Sequence, residues 1–175
     1  MQHIFYPREY LDSTYDIDFE QFYQQGFRGI IFDIDNTLVT HGAHADKRAQ
    51  ELFQRLRAIG FKTYLVSNNK EPRVKSFCEE VGADGYVYKA GKPSGKGYRK
   101  AMEEMGLDRS RTLSVGDQLF TDMWGTNLAG LYSVLVKPID PREEIQIVLK
   151  RFLEKPVIWA YLHSKERKDN VHEKH

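Results

Sequence analysis

The stretch Gly29-Ile30-Ile31-Phe32-Asp33-Ile34-Asp35-Asn36-Thr37-Leu38 decides the fold. An apolar run of strand length ends in two aspartates spaced i, i+2, and the chain then turns on Asn36-Thr37. Charge at the end of a buried strand must be paired, metal-bound or directed into a wet cleft. The run therefore reads as a strand, Gly29 to Asp33, that carries a carboxylate pair to the edge of a sheet.

Downstream, strand-like and helix-like segments alternate. Asp46 is placed to cap a helix whose apolar positions Ala49, Leu52, Phe53, Leu56 and Ile59 keep helical spacing, and Gly60 ends it. Phe61 to Val66 reads as a second strand, stopping at Ser67-Asn68-Asn69. Pro72 suits the first turn of a second helix, with Val74, Phe77, Cys78 and Val81 as its stripe and Gly82 as its stop. Tyr86 to Tyr88 is a short third strand. Tyr98, Ala101, Met102 and Met105 mark a third helix, closed by Gly106. Thr112 to Val115 is a fourth strand, ending at Gly116-Asp117. A fourth helix covers about Leu119 to Ala129, and Leu131 to Val136 is a fifth strand. This alternation predicts a three-layer α/β/α core of Rossmann type around a parallel five-stranded sheet.

In such sheets ligands bind outside the carboxyl ends of the strands. Asp33 and Asp35 follow strand one, Ser67 strand two, Lys92 strand three, and Asp117 and Asp122 strand four. All fall on one edge. Acids brought together repel and imply a cation, and hard oxygen ligands suit Mg²⁺. The Ser67 hydroxyl, backbone N–H groups near Asn68 and the Lys92 ammonium suit phosphoryl oxygens. Phosphoryl transfer through a carboxylate nucleophile joins these parts. Each signal also has an ordinary reading. Asp33 and Asp35 fit a turn, Asn68-Asn69 a helix cap, Lys92 solvated surface, and Asp122 the first turn of a helix. Their coincidence at successive strand ends argues for a site.

The motifs DxDxT, a strand-end Ser, a Lys before the third helix and GDxxxxD resemble the haloacid dehalogenase superfamily over residues 29–138. The finer pattern FDIDNTLV, VSNN, KAGKP, VGDQLFTD and NLAG, with the Tyr-Leu-Asp-Ser start of the N-terminal arm, resembles its YqeG family. That resemblance implies a phosphatase, related to organellar phosphatidylglycerophosphate phosphatases. Asp33 would be the nucleophile and Asp35 the general acid and base. Mg²⁺ would be held by Asp33, the Asp35 carbonyl and Asp117. Asp122 would support the metal waters or orient Lys92. Ser67 and Asn68 would grip phosphate, and Lys92 would offset charge. An acid at Asp35 favours a phosphatase over dehalogenases and pumps. One helix accounts for the chain between Asp33 and Ser67, and one helix and one strand for that between Ser67 and Lys92, which leaves no room for a cap domain. Capless members act on bulky substrates or borrow a partner as cover.

Composition sets outer bounds. The 175 residues suffice for one domain, and 26 basic against 25 acidic side chains create no field for nucleic acid. One cysteine excludes an intramolecular disulfide, so a reducing cytoplasm is expected, and Cys78 reads as a buried small hydrophobe. Met1 to Tyr10 has no apolar signal core, and no run is long enough to span a bilayer. His41 and His44 form an HxxH in the loop past the nucleophile, read as a solvated flap or a substrate contact. Asn127 and Gly130 are expected to shape the fourth helix and its exit. The expected hydrolase domain covers 1–162, with 163–175 a disordered tail. Within it, residues 141–162 carry the stripe Ile145, Val148, Leu149, Phe152 and the run Val157 to Leu162. This segment either packs on the sheet or, flanked by Lys150, Arg151, Lys155, Lys165, Arg167 and Lys168, serves a homodimer or a peripheral membrane contact. The alternative function is a binding or scaffold protein on a retained phosphatase fold.

Overall fold

The computed structural model describes residues 3–140 and 154–163. In chain order these form β1 (Glu9–Leu11), α1 (Phe19–Gln24), β2 (Gly29–Phe32), α2 (Lys47–Ile59), β3 (Lys62–Val66), α3 (Glu71–Val81), β4 (Gly85–Val87), α4 (Lys96–Met105), β5 (Thr112–Gly116), α5 (Trp124–Ala129) and β6 (Tyr132–Val136). A final helix, α6, covers residues 154–163.

The strands form one parallel sheet in the order β1-β6-β5-β2-β3-β4. The expected α/β/α architecture is present, but the sheet has six strands, not five. The addition is β1, which pairs Glu9, Tyr10 and Leu11 with Val134, Leu135 and Val136. Its three residues are all half-buried and carry no alternation, so sequence periodicity passes over them. The chain runs outward from β2 to β3 and β4 on one side, and to β5 and β6 on the other. The nucleophile strand therefore stands at the reversal of strand order, where a parallel sheet opens a cleft.

Residues of β2 alternate between two cores. Ile30 and Phe32 join Phe53, Leu56, Phe77 and Phe19 on one face. Ile31 joins Tyr98, Ala101 and Met105 on the other. Both faces are covered, which is why β2 is apolar throughout. Helix α2 starts where Asp46 Oδ1 accepts the Ala49 N–H at 2.8 Å. It ends at Gly60, whose φ of 109° only glycine adopts at no steric cost. No inserted cap domain interrupts the core among the described residues: α2 alone connects β2 to β3, and α3 alone connects β3 to β4.

Two other expectations change. The fourth helix begins as a π-turn, Leu119–Met123, before α5. Asn127 does not shape the helix exit; its amide donates to the carbonyls of Ile4 (2.7 Å) and Tyr6 (3.0 Å) and holds the N-terminal arm, while Gly130 is the left-handed C-cap. Helix α6 packs against the molecule. Val157 and Ile158 meet Leu119, Met123, Leu135 and Tyr10, and the Tyr161 hydroxyl donates to the Arg8 carbonyl. The Phe120 N–H donates to the buried Glu154 carboxylate at 3.2 Å. Trp159 and Leu162 remain on the outer side. His163, expected in the tail, closes this helix with its ring 4.1 Å from Trp159. The stripe Ile145 to Phe152, the basic residues Lys150, Arg151, Lys165, Arg167 and Lys168, and the rest of the tail lie outside the described residues. Among the described residues no helix is long and apolar enough to cross a membrane.

Candidate active site

The carboxyl edge of β2, β3 and β5 opens into a cleft of about 150 Å³. Its walls include Asp33 and Asp35 from the β2 loop, Ser67, Asn68 and Asn69 from the β3 loop, Lys92 from the loop before α4, and Asp122 from the π-turn. Gln118, Thr121, Asn36 and His41 complete it.

Three carboxylates meet here. Oxygens of Asp33, Asp117 and Asp122 lie within 4.8 Å of one another. Lys92, only 4% exposed along its side chain, joins two of them: Nζ donates to Asp33 Oδ1 at 2.6 Å and to Asp122 Oδ1 at 2.7 Å. Asn68 fixes the lysine loop. Its side chain accepts the Lys92 N–H at 2.9 Å and donates to the Lys92 carbonyl at 3.3 Å. Asp122 is held from behind by the Gln118 N–H, which donates to Oδ2 at 3.0 Å. The Thr37 hydroxyl stands between Asp33 and buried Asp117, within 3.5 Å of both. Buried Ser67 is anchored by its N–H to the Val87 carbonyl, and its hydroxyl accepts from the Asn69 N–H.

Electrostatics follow from that count. Burial, with the charges of Asp122 and Asp35, pushes the Asp33 carboxyl up to about 7, although Lys92 opposes the shift. Burial alone would lower the Lys92 pKa, but Asp122 and Asp33 outweigh it and hold the ammonium well above its ordinary value. One ammonium serves three acids, all donors are oxygen, and no His or Cys joins them. This donor set fits a hard divalent cation such as Mg²⁺. Both Asp122 oxygens already accept hydrogen bonds, so its geometry is that of a lysine-orienting group.

Asp35 has partners that its sequence context does not announce. Oδ1 accepts from the Gly42 N–H (2.9 Å) and Arg73 Nη2 (3.1 Å), and Oδ2 accepts from the Asn69 amide. Asn68 and Asn69 are therefore not the helix cap that their position suggests; Lys70 takes the cap position of α3. The turn that presents Asp35 closes with the Asn36 N–H on the Val39 carbonyl, and Asn36 takes φ 62°, which asparagine tolerates. The HxxH pair separates: His41 lies 3.9 Å from Asp35 in the cleft, whereas His44 faces Glu80 at 2.8 Å on α3. Cys78 is buried in the α3 stripe, and burial pushes its thiol up to about 11.

Gly116 explains the glycine before Asp117. A Cβ there would lie 2.5 Å from Asp122 Cβ and 2.6 Å from its Cγ. Gly116→Ala is expected to push Asp122 off Lys92 and to cost about 1–3 kcal/mol of stability, as overpacking does. Turnover should fall at least about tenfold, on the order of 1.4 kcal/mol of barrier. A thermal melt and an aryl phosphate assay on the same sample check both.

A family model described as haloacid dehalogenase-like hydrolase matches residues 42–130. The chain is 35% identical over 161 residues to "Probable phosphatase YqeG" of Bacillus subtilis, covering 91% of this chain and 93% of the relative. It is 29% identical over 159 residues to "Phosphatidylglycerophosphate phosphatase 1, chloroplastic/mitochondrial" of Arabidopsis thaliana, covering 79% of this chain and 45% of the relative, so it spans under half of that protein. Among solved structures, an uncharacterized protein from Corynebacterium glutamicum shares the fold with a TM-score of 0.55, at 21% identity over 66% of this chain and 88% of the other.

Proposed function

The chain belongs to the haloacid dehalogenase-like hydrolases and is a phosphatase of that family, and from this premise we propose that it hydrolyses phosphomonoesters through an aspartyl-phosphate on Asp33, with Mg²⁺ as cofactor. The observation that carries this reading is the buried Lys92 ammonium bonded to Asp33 within a cluster of three carboxylates at the mouth of the parallel sheet.

Asp33 attacks phosphorus in line, forming one P–O bond as the bond to the leaving oxygen breaks. Asp35 gives its proton to that oxygen, then takes one from the water that cleaves the acyl phosphate. The Ser67 hydroxyl, the Asn68 N–H and Lys92 hold the phosphoryl oxygens while charge redistributes. Lys92 also keeps Asp33 oriented, and Asp122 keeps Lys92 in place. Asp33, the Asp35 carbonyl and Asp117 would hold Mg²⁺, which when bound supplies positive charge to offset that of the phosphoryl group and the acids.

For substrate, the reading favours a bulky phosphomonoester, and a lipid phosphate of the phosphatidylglycerophosphate kind in particular. Two observations support it: the resemblance to the Arabidopsis enzyme, and a cleft that no cap domain closes among the described residues, so that a large leaving group can extend outward. The test is release of 4-nitrophenol from its phosphate with Mg²⁺, with EDTA, and after Mg²⁺ is restored. Comparison of phosphatidylglycerophosphate in mixed micelles with water-soluble sugar and nucleotide monophosphates follows. Turnover that requires Mg²⁺ and is highest on the lipid is expected. Turnover undiminished by EDTA would refute the metal assignment, and preference for a soluble ester would refute the lipid one.

A further inference from the structure

The two oxygens of Asp35 are held differently. Oδ2 is on the cleft side, because its partners Asn69 and His41 both line the cleft. Oδ1 accepts from Arg73 Nη2 at 3.1 Å and from the Gly42 N–H at 2.9 Å, and neither residue lines the cleft. Arg73 occupies the first turn of α3, where a cation is disfavoured by the helix dipole. Its guanidinium carbon lies 5.3 Å from the centre of the Phe77 ring. Its Nε is buried without a hydrogen-bond partner, the one such side-chain atom among the described residues. An unpaired buried donor is costly. Neither local helix chemistry nor hydrogen-bond satisfaction accounts for an arginine here; its contact with Asp35 does.

We propose that Arg73 is a positioning residue for the proton-transferring carboxyl: with the Gly42 amide it pins Asp35 by Oδ1, so that Oδ2 meets the leaving group. This rests on the reading of Asp35 as general acid given above. The proton on Oδ2 passes to the leaving oxygen as its bond to phosphorus breaks, and the electron pair of that bond becomes the new O–H bond. Arginine suits the task because its planar fork has fixed directions and does not give up its proton at working pH. Gly42 contributes a backbone N–H, so the loop after the nucleophile and the start of α3 share one anchor.

Leaving-group dependence separates positioning from general damage. Phenyl phosphate releases a phenoxide whose acid has a pKa of about 10, as for tyrosine, and needs the proton. 4-Nitrophenyl phosphate has nearly the same shape but a leaving group that departs readily as the anion. General acid catalysis is worth about 10²–10⁴-fold where it is needed. With Arg73→Met, which keeps the stem over Phe77, kcat/KM for phenyl phosphate is expected to fall at least about tenfold more than for 4-nitrophenyl phosphate, a part of that full effect. Arg73→Lys should recover some of the difference. Equal losses on both esters, or none on either, would overturn the proposal. Asp35→Asn is the reference. If it widens the ratio and neither Arg73 variant does, Arg73 is dismissed and the acid stands. If it leaves the ratio unchanged, the acid assignment falls and the proposal with it. Arg73→Lys, which keeps the charge, carries the test should Arg73→Met fail to fold.

Discussion

Asp33→Asn is expected to reduce Mg²⁺-dependent hydrolysis of 4-nitrophenyl phosphate by at least about 10³-fold while the metal-free protein melts at a higher temperature than wild type. The activity loss follows from removing the nucleophile, since an amide oxygen forms no stable acyl phosphate; comparable knockouts of a nucleophile cost about 10⁴–10⁶-fold. The stability gain follows from the acid cluster. Asp33 shares a 4.8 Å neighbourhood with Asp117 and Asp122, and burial with those charges pushes its carboxyl up to about 7. A folded-state pKa above the unfolded value means that the contribution of this group to stability is full below the unfolded pKa, near 4, and is lost as pH rises through about 7. At pH 8 the wild-type carboxylate is therefore a burden that asparagine lacks. Added Mg²⁺ should raise the melting temperature of wild type more than that of the variant. Scanning calorimetry with and without Mg²⁺ reads both effects. Retained turnover would overturn the nucleophile, and an unfolded variant would contradict the charge argument.

Lys92→Ala should be the most damaging single change for stability. The ammonium is buried and bonded at 2.6 and 2.7 Å to two carboxylates, and its removal leaves three acids crowded without their counter-charge. Breaking a buried pair by deleting one partner costs about 3–5 kcal/mol. The expected signature is a denaturant midpoint lowered accordingly in EDTA, and partly restored by Mg²⁺, because a divalent ion replaces the lost positive charge. Turnover should fall by at least about 10³-fold even with Mg²⁺, since the cation does not replace the lysine at the phosphoryl oxygens. A loss below about 1 kcal/mol, the range of exposed pairs, would show that Lys92 does not neutralise the cluster.

What the sequence discloses about this protein is what lies next to itself in the chain. Asp33, Ser67, Lys92 and Asp117 are legible because each stands at or near the end of an apolar run, and parallel strands carry those ends to one edge. Residues whose role depends on a distant partner are not. Arg73 meets Asp35 across 38 positions, and in sequence it is one of several basic residues at the start of an amphipathic helix. Asn69 has the composition of a cap and the contacts of a site residue. Strand β1 lacks alternation because its neighbour β6 lies at the far end of the core sequence, and register alone fixes it. The HxxH spacing resembles a chelate, but the loop turns between its members and sends His44 to Glu80.

The π-turn shows the same limit from another side. Its apolar positions read as ordinary helix, yet the Met123 N–H reaches the Gln118 carbonyl and the Trp124 N–H reaches that of Leu119, each five residues back. The wider loop sets Asp122 over Gly116 and against Lys92. In a regular helix each residue advances about 100° around the axis. Deleting one position between Asp117 and Asp122 would wind the turn tight and swing the second carboxylate away from the ammonium. The spacing of these two aspartates is thus a constraint in its own right. Scanning by substitution would never expose it, because every side chain would survive and only its compass heading would change.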